Sequence, residues 1–357
     1  MKKRAKSCGR KPWVLVWSLW FGLLPVAAQH NPGNEHSLRW PPPPDTPRIT
    51  YLQTFSGPRE LGWKPSFWRR VANWITLSSD ASQLQRPFAV AVDQRGRIII
   101  ADAGSHDVKI FDLEKNSVKR IRGYKGRAFG APVAVTVDAA GALYVADAAA
   151  GRVLKYSPEG KALDVVGGEE GAFKRSAGLV FNRANGLLYV VDTVRPRIFA
   201  YSPEGRLVRE FGVRGEGPGE FNLPTSIAAD GDGNLYVNDT LNFRIQVLSP
   251  EGRFLREFGQ AGDGSGDLAR PKGVALDGDG HLYVTDALFS TVQMFDQKGD
   301  FLLHFGEVGG GPAEFYIPAG VVVDARDRVL VTDPYQGRVH VFQYLRQAKS
   351  GAQGGSR

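Results

Sequence analysis

Short apolar runs recur along most of the chain, and six of them end at an aspartate. These aspartates follow one another at intervals of 45, 45, 47, 47 and 47 residues. They are Asp102, Asp147, Asp192, Asp239, Asp286 and Asp333, and we call them the marker aspartates. The run before each one, such as 143–146 or 282–285, is rich in β-branched and aromatic residues, which predicts a strand buried on both faces.

Each marker aspartate belongs to a longer repeat. A second apolar run precedes it, as at 273–277, and a turn rich in Asp, Gly and Asn, as at 230–234, supplies the positive φ angles of a tight hairpin. An alternating strand such as 244–248 follows, and a Ser-Pro-Glu-Gly turn leads to a fourth strand at 254–258. Four antiparallel strands per repeat are typical of a propeller blade. The sequence therefore predicts an all-β fold, a six-bladed β-propeller.

The two ends of the repeat region predict how the ring closes. The sixth repeat has only three strands, the last at 339–342, and its fourth strand is missing. Residues 48–55, before the first repeat, resemble fourth strands such as 206–211. We therefore expect this N-terminal strand to complete blade six and to cover an edge that would otherwise invite aggregation.

The first residues have the pattern of a signal for export. Six basic residues in the first eleven positions precede an apolar run and a small-residue site at 26–28, which predicts a signal peptide over 1–28. The protein is then periplasmic or extracellular; the alternative is an uncleaved signal that anchors it in the inner membrane. The mature chain has no cysteine, because Cys8 is the only one.

The remaining domain boundaries follow from composition. Composition predicts a Pro-rich linker over residues 29–47, the propeller over 48–345 and a flexible Gly/Ser tail over 346–357. Residues 56–86 enlarge the first connection between blades, and within them 65–77 has the apolar spacing of a helix. Such a helix packs on the rim of the ring; the alternative is a peripheral membrane contact or a docking helix for a partner.

Net charge argues against a nucleic-acid partner. The formal charge of +8 falls to +2 when residues 1–28 are removed, since 39 basic and 37 acidic side chains remain. A nearly neutral exported domain lacks the excess positive charge with which a nucleic-acid-binding protein contacts phosphate groups.

The repeat resembles the NHL family. The shared motifs are Pro-x-Gly-Val-Ala-Val-Asp, Leu-Tyr-Val-x-Asp and Arg-Ile-x-Val-Phe, and they recur in register over residues 48–345. The resemblance implies a propeller, here with six blades. Members of the family include RNA-binding domains, extracellular sensor domains of bacterial kinases and a zinc- and calcium-dependent amidating lyase, so the fold does not fix the function.

The regularity of the marker aspartates favours a structural role. Four blades carry an arginine five residues later, and an Asp and an Arg one short loop apart can pair or bind loop backbone groups. These arginines are Arg152, Arg197, Arg244 and Arg338. The alternative is a cation site at the channel mouth, as in calcium-dependent lactonase-type propellers. Asn238 beside Asp239 is the best candidate for such a Ca²⁺ site, although calcium needs six to eight oxygen ligands.

No catalytic motif stands out. The histidines fall in different layers of different blades, so a three-histidine zinc site is not supported. The Gly-rich segments at 215–221 and 309–315 lack the Gly-Lys-Ser/Thr ending of a phosphate loop and recur between blades, which makes them connectors.

The loops after the marker aspartates break the repeat pattern and are the best candidates for a partner-binding surface. Irregular residues there are His106, Arg195, Asn242, Phe243, Phe289 and Tyr335. Exposed aromatic side chains there would form an apolar surface patch that binds a partner. The alternative is that these aromatic side chains pack between the loops of the propeller itself. We therefore expect a non-catalytic, cofactor-free, monomeric ring that holds a protein or peptide. The alternative is a metal-dependent hydrolase or lyase acting at the channel mouth.

Overall fold

The computed structural model describes residues 38–63, 81–168 and 172–346. They form six antiparallel sheets arranged as the blades of a propeller, which confirms the predicted fold. In blades one to five the strands follow one another in sequence from the channel outwards, so each hairpin is formed locally. Blade one contains Pro87–Val92, Ile98–Asp102, Asp107–Asp112 and Ser117–Ile121; blade two contains Pro132–Val137, Leu143–Asp147, Arg152–Tyr156 and Ala162–Val166; blade three contains Ser176–Asn182, Leu187–Asp192, Arg197–Tyr201 and Leu207–Phe211.

The other three blades repeat this order. Blade four contains Pro224–Ala229, Leu235–Asp239, Arg244–Leu248 and Phe254–Phe258; blade five contains Pro271–Leu276, Leu282–Asp286, Thr291–Phe295 and Phe301–Phe305; blade six contains Val321–Val323, Arg328–Asp333, Arg338–Tyr344 and Ile49–Phe55. A 3₁₀ turn spans Thr240–Asn242. Two-residue ladders between blades pair Gly123–Tyr124 with Arg127–Ala128, Val213–Arg214 with Glu220–Phe221, and Glu307–Val308 with Glu314–Phe315.

The ring closes as the sequence predicts. Ile49–Phe55 pairs antiparallel with Arg338–Tyr344 and forms the outer strand of blade six. One addition was not predicted: Arg39–Trp40, inside the expected linker 29–47, pairs with the start of the closing strand as a fifth strand. The Trp40 ring lies 5.9 Å from the ring of Phe342, so this piece of chain packs on the blade.

The core is divided among the interfaces between blades. Six clusters of buried apolar side chains occupy the six interfaces, including the one between blades six and one. The second strand of each blade is buried at every position from its apolar run to its marker aspartate. This is why those runs lack alternation, since both of their faces pack against a neighbouring blade.

Close approach of the inner strands explains some of the glycines. A Cβ on Gly273 would lie 2.2 Å from the carbonyl oxygen of Ala319 in the next blade, and one on Gly320 would lie 2.6 Å from that of Phe88. The Thr285 hydroxyl accepts from the Gly273 N–H at 2.8 Å and donates to the Ala319 carbonyl at 2.6 Å, which links the same two blades.

Several sequence predictions fall outside the described residues. They are the signal peptide at 1–28, the helical spacing at 65–77 and the tail from residue 347 onwards. The flanks of the insertion, 56–63 and 81–86, come together, because the Leu84 N–H donates to the Ser56 carbonyl at 2.7 Å. Within the described part of the chain, no helix has the length and hydrophobicity needed to cross a bilayer.

Candidate binding site at the channel mouth

The marker aspartates are fully buried and hold the loops of one face together. Asp102 accepts hydrogen bonds from the N–H groups of Gln85 and Arg86, which precede the inner strand, at 2.9 and 2.8 Å. It also accepts from the N–H groups of its own loop, Gly104 and Ser105. The other five receive the equivalent pair of contacts, from the incoming connection and from the loop that follows the aspartate. We call the end of the ring that carries these loops the loop face.

The arginines five residues later differ in their contacts. Arg244 and Arg152 lie 3.1 and 3.5 Å from their marker aspartates. Arg197 instead binds Glu210 at 2.7 Å, and in that blade Arg195 pairs with the marker Asp192 at 3.1 Å. Arg338 donates to backbone carbonyls of the incoming connection, Gly311 and Glu314.

Blade one replaces arginine with a buried Lys–Asp network. Lys109 is fully buried, and its Nζ lies 2.7 Å from Asp102 and 2.8 Å from Asp107. Arg120 also binds Asp107. Burial acts to raise the pKa of Asp102, but the charge and hydrogen bond of Lys109 outweigh it, and the net shift is downward.

At the predicted calcium site the Asp239 carboxylate is already bound by hydrogen-bond donors, whereas the buried Asn238 amide beside it has no hydrogen-bond partner. The Asp239 carboxylate already accepts from the Asn222 N–H, from the amide of Asn242 and from the Arg244 guanidinium. A cation placed there would face N–H donors and a positive charge instead of the oxygen ligands that calcium requires. In the described ranges, no three His, Cys, Asp or Glu side chains are grouped as a metal site would need.

All six residues predicted to bind a partner lie on the loop face, but they are not equally accessible. His106, Arg195 and Tyr335 are exposed, whereas the remaining three are half-buried. The Asn242 amide turns inwards to Asp239 and to the Gly215 carbonyl. His106 Nδ1 lies 2.8 Å from the Gly130 carbonyl at the entrance of blade two.

In the loops after the marker aspartates, the most exposed apolar side chains stand two residues after the aspartate. In blades three to six these are Val194, Leu241, Leu288 and Tyr335, with 50%, 48%, 66% and 72% of their surface exposed. We call these four residues the apolar arc, because they occupy successive blades. Tyr335 is one of the six predicted residues, whereas Val194 and Leu241 were not predicted, although their constant offset from the aspartate was a usable signal.

One end of the arc, Tyr335, lies at the mouth of the central channel. The channel holds a cavity of about 860 Å³ lined by inner strands of all six blades, and Tyr335 belongs to both the cavity wall and the arc. At one repeat position at the entrance to the inner strand, blades one, three and five carry arginine, whereas the other three blades carry Ala131, Leu223 and Ile317. These arginines are Arg86, Arg175 and Arg270, and all three line the cavity together with Lys272.

The charge of the cavity has one sign. Among the described residues that line it, none is Asp, Glu or His. The pKa of Lys272 is lowered, first by burial and then by the positive charges of Arg270 and Arg175, which line the same cavity. The mouth is therefore an apolar-walled opening with a concentrated positive charge.

No family model matches the chain, and no curated protein matches it by sequence. Solved structures do match its fold. A virginiamycin B lyase from Staphylococcus aureus superposes with a TM-score of 0.56 at 14% identity, over 74% of this chain and 97% of that one. A gluconolactonase from Xanthomonas campestris superposes at 0.56 with 16% identity, over 74% and 87%. An auxiliary nutrient binding protein from Bacteroides thetaiotaomicron superposes at 0.58 with 14% identity, over 74% and 70%. At these identities the shared property is the fold, and the chain is a six-bladed β-propeller.

Proposed function

We propose that this protein is an exported, non-catalytic binding propeller that holds a protein or peptide partner on its loop face. The observation that carries the proposal is the apolar arc beside the channel mouth. Four apolar side chains on successive blades are 48% to 72% exposed, whereas apolar residues in the core of the same blades are fully buried. Exposed apolar side chains that recur beside a concave opening are typical of a binding surface.

A second candidate is a metal-dependent hydrolase or lyase acting at the channel mouth. Two proteins of the same fold, a lyase and a gluconolactonase, make this class worth testing. The described lining of the channel favours binding over such chemistry, because it offers no carboxylate or imidazole that could serve as a metal ligand or a general base. Membership of the NHL family, export to the periplasm or beyond and a monomeric ring are parts of the proposal supported by the sequence.

Site-specific photocrosslinking tests the proposal. A photoreactive amino acid in place of Val194, within the arc, should give a discrete adduct when the protein is expressed in its native host. The matched control carries the same group in place of Leu163, on the outer strand of blade two, where exposure is similar at 47%. Adducts of the same yield and size from both positions would contradict a partner site on the loop face.

Metal analysis separates the two candidates. The binding proposal predicts that Ca²⁺ or Zn²⁺ added to the purified protein leaves its thermal unfolding temperature unchanged. A bound ion that raises this temperature and supports turnover of lactone or ester substrates would establish the enzyme instead.

A further inference from the structure

Four cations at the channel mouth lack acidic partners. In the described part of the chain, no carboxylate lies within ion-pair distance of Arg86, Arg175, Arg270 or Lys272. Elsewhere on the same face the pattern is different, because Arg152, Arg195 and Arg244 are each paired with a marker aspartate.

Folding alone does not explain these side chains. Arg86, Arg175 and Arg270 contribute their backbone N–H groups to the marker aspartates, a role that any residue except proline can fill. The equivalent positions in the other blades are Ala131, Leu223 and Ile317, so the guanidinium groups are not needed to complete a blade. Cations that line one cavity repel one another, an anion bound between them removes this repulsion, and arginine binds a carboxylate with two parallel hydrogen bonds.

The neighbouring surface indicates what carries the anion. Tyr335 connects the cavity to the arc, and Tyr316 and Ile317 extend the apolar surface at the same edge, with the Tyr316 and Tyr335 rings 5.4 Å apart. A ligand that contacts both the cations and the arc must be elongated and must combine an acidic group with apolar groups. A peptide segment has this form.

We infer that the loop face binds a peptide segment of the partner whose carboxylate, from an acidic side chain or a chain terminus, enters the mouth among Arg86, Arg175, Arg270 and Lys272. Apolar side chains next to that carboxylate pack on Val194, Leu241, Leu288 and Tyr335. This inference rests on the proposed function, since it names the partner chemistry of the same surface.

Selection from a displayed library of random short peptides tests it with the full mature chain. Peptides recovered on the wild type should be enriched in Asp or Glu, or in a free C-terminal carboxylate, close to an aromatic or aliphatic residue. A recovered peptide should lose affinity roughly tenfold or more when each acid is replaced by its amide.

A matched pair of variants assigns the enrichment to the mouth. The variant R86Q/R175Q/R270Q should no longer enrich acidic peptides, whereas R95Q/R183Q/R326Q should enrich them as the wild type does. The second set removes the same charge from exposed arginines in the turns at the opposite end of the inner strands. Circular dichroism and thermal unfolding verify that both variants are folded.

The outcomes separate the two proposals. Recovery of no peptide above background, together with no adduct from the Val194 position, would overturn the proposed function. Recovery of apolar peptides without acids, or acid enrichment that survives R86Q/R175Q/R270Q, would overturn only the inference. Displacement of a recovered peptide by a short single-stranded RNA that binds more tightly would also overturn it, because the cations would then serve a nucleic acid.

Discussion

The Nδ1 atom of His340 lies 3.0 Å from the hydroxyl oxygen of Thr54, although 286 residues separate the two in sequence. Thr54 stands in the closing strand and His340 in the strand it pairs with, so this hydrogen bond joins the two ends of the ring. The imidazole is fully buried, and the Phe315 ring lies 4.6 Å from it. Burial and then the positive charge of Arg338 lower the pKa of His340 to about 3.

The lowered pKa of His340 predicts that the stability of the protein depends on pH. Below the ordinary histidine pKa of 6.5 the unfolded chain takes up a proton at His340, whereas the folded chain does so only near pH 3. The free energy of unfolding should therefore fall as pH is lowered through this window, by up to about 1.4 kcal/mol per pH unit from this residue. Denaturant unfolding of the wild type and H340Q at several pH values measures the contribution.

The H340Q variant is a suitable reference because blades four and five carry Gln246 and Gln293 at the same repeat position. Glutamine can still donate to or accept from the Thr54 hydroxyl but does not titrate. Stability curves for wild type and H340Q that remain parallel from pH 7 to pH 4 would contradict the prediction.

The closing strand itself should be essential to stability. Ile49 and Phe55 are fully buried, and Phe55 belongs to the cluster between blades six and one. We expect I49A and F55A each to lower the free energy of unfolding by about 3 kcal/mol, through lost burial and the cavity left behind. L52S, in the same strand but 48% exposed, should change it by less than about 0.5 kcal/mol. Equal effects of F55A and L52S would argue against a closed ring.

The fold could be predicted from the sequence because several independent features indicated the same architecture. Fully apolar runs, turn chemistry and the missing fourth strand at 339–342 all pointed to blades and to one closure. The added strand at Arg39–Trp40 was not predictable, since a two-residue ladder has no periodicity. The cationic mouth was also missed, because Arg86, Arg175 and Arg270 are far apart in sequence and line one cavity only when the ring is formed.

Exposure was the other property that sequence could not supply. Asn242 and Phe243 looked like loop residues, but Asn242 turns inwards to satisfy Asp239, whose carboxylate is fully buried. The need to pair a buried charge therefore decides which loop side chains remain available to a partner.

Removal of Lys109 should be costly because it leaves the buried Asp102 without its cation and leaves Asp107 with Arg120 alone. We expect K109M to lower the free energy of unfolding by about 3 to 5 kcal/mol, the usual effect of breaking a buried ion pair on one side. K115M removes a lysine that is 74% exposed and should have little effect. Chemical denaturation measures both.

A second change tests the mechanism. Blade five has Thr291 and Gln293 where blade one has Asp107 and Lys109. The double variant D107T/K109Q therefore removes the charge pair together and should be more stable than K109M. A double variant as unstable as K109M would show that packing, not charge, explains the loss.

Close packing of the inner strands leads to a further prediction. G320A places a Cβ 2.6 Å from the Phe88 carbonyl oxygen, so blades six and one must move apart. We expect a loss of about 1 to 3 kcal/mol in the free energy of unfolding. G231A, in a turn where nothing lies within 4 Å of the added Cβ, should be neutral. Thermal and denaturant unfolding of the two variants would refute this account if the losses were equal.

The apolar arc should affect partner binding without affecting stability. In protein carrying the photoreactive group at Val194, L288S/Y335S should reduce the yield of the adduct about tenfold or more, because a few side chains contribute most of the energy of such contacts. Both side chains are mainly in solvent, at 66% and 72% exposure, so the unfolding temperature should stay the same. L207S/L255S changes two leucines of similar exposure, 51% and 45%, on outer strands and should leave the adduct intact. An equal loss from the outer-strand variant would mean that general surface hydrophobicity, and not the arc, retains the partner.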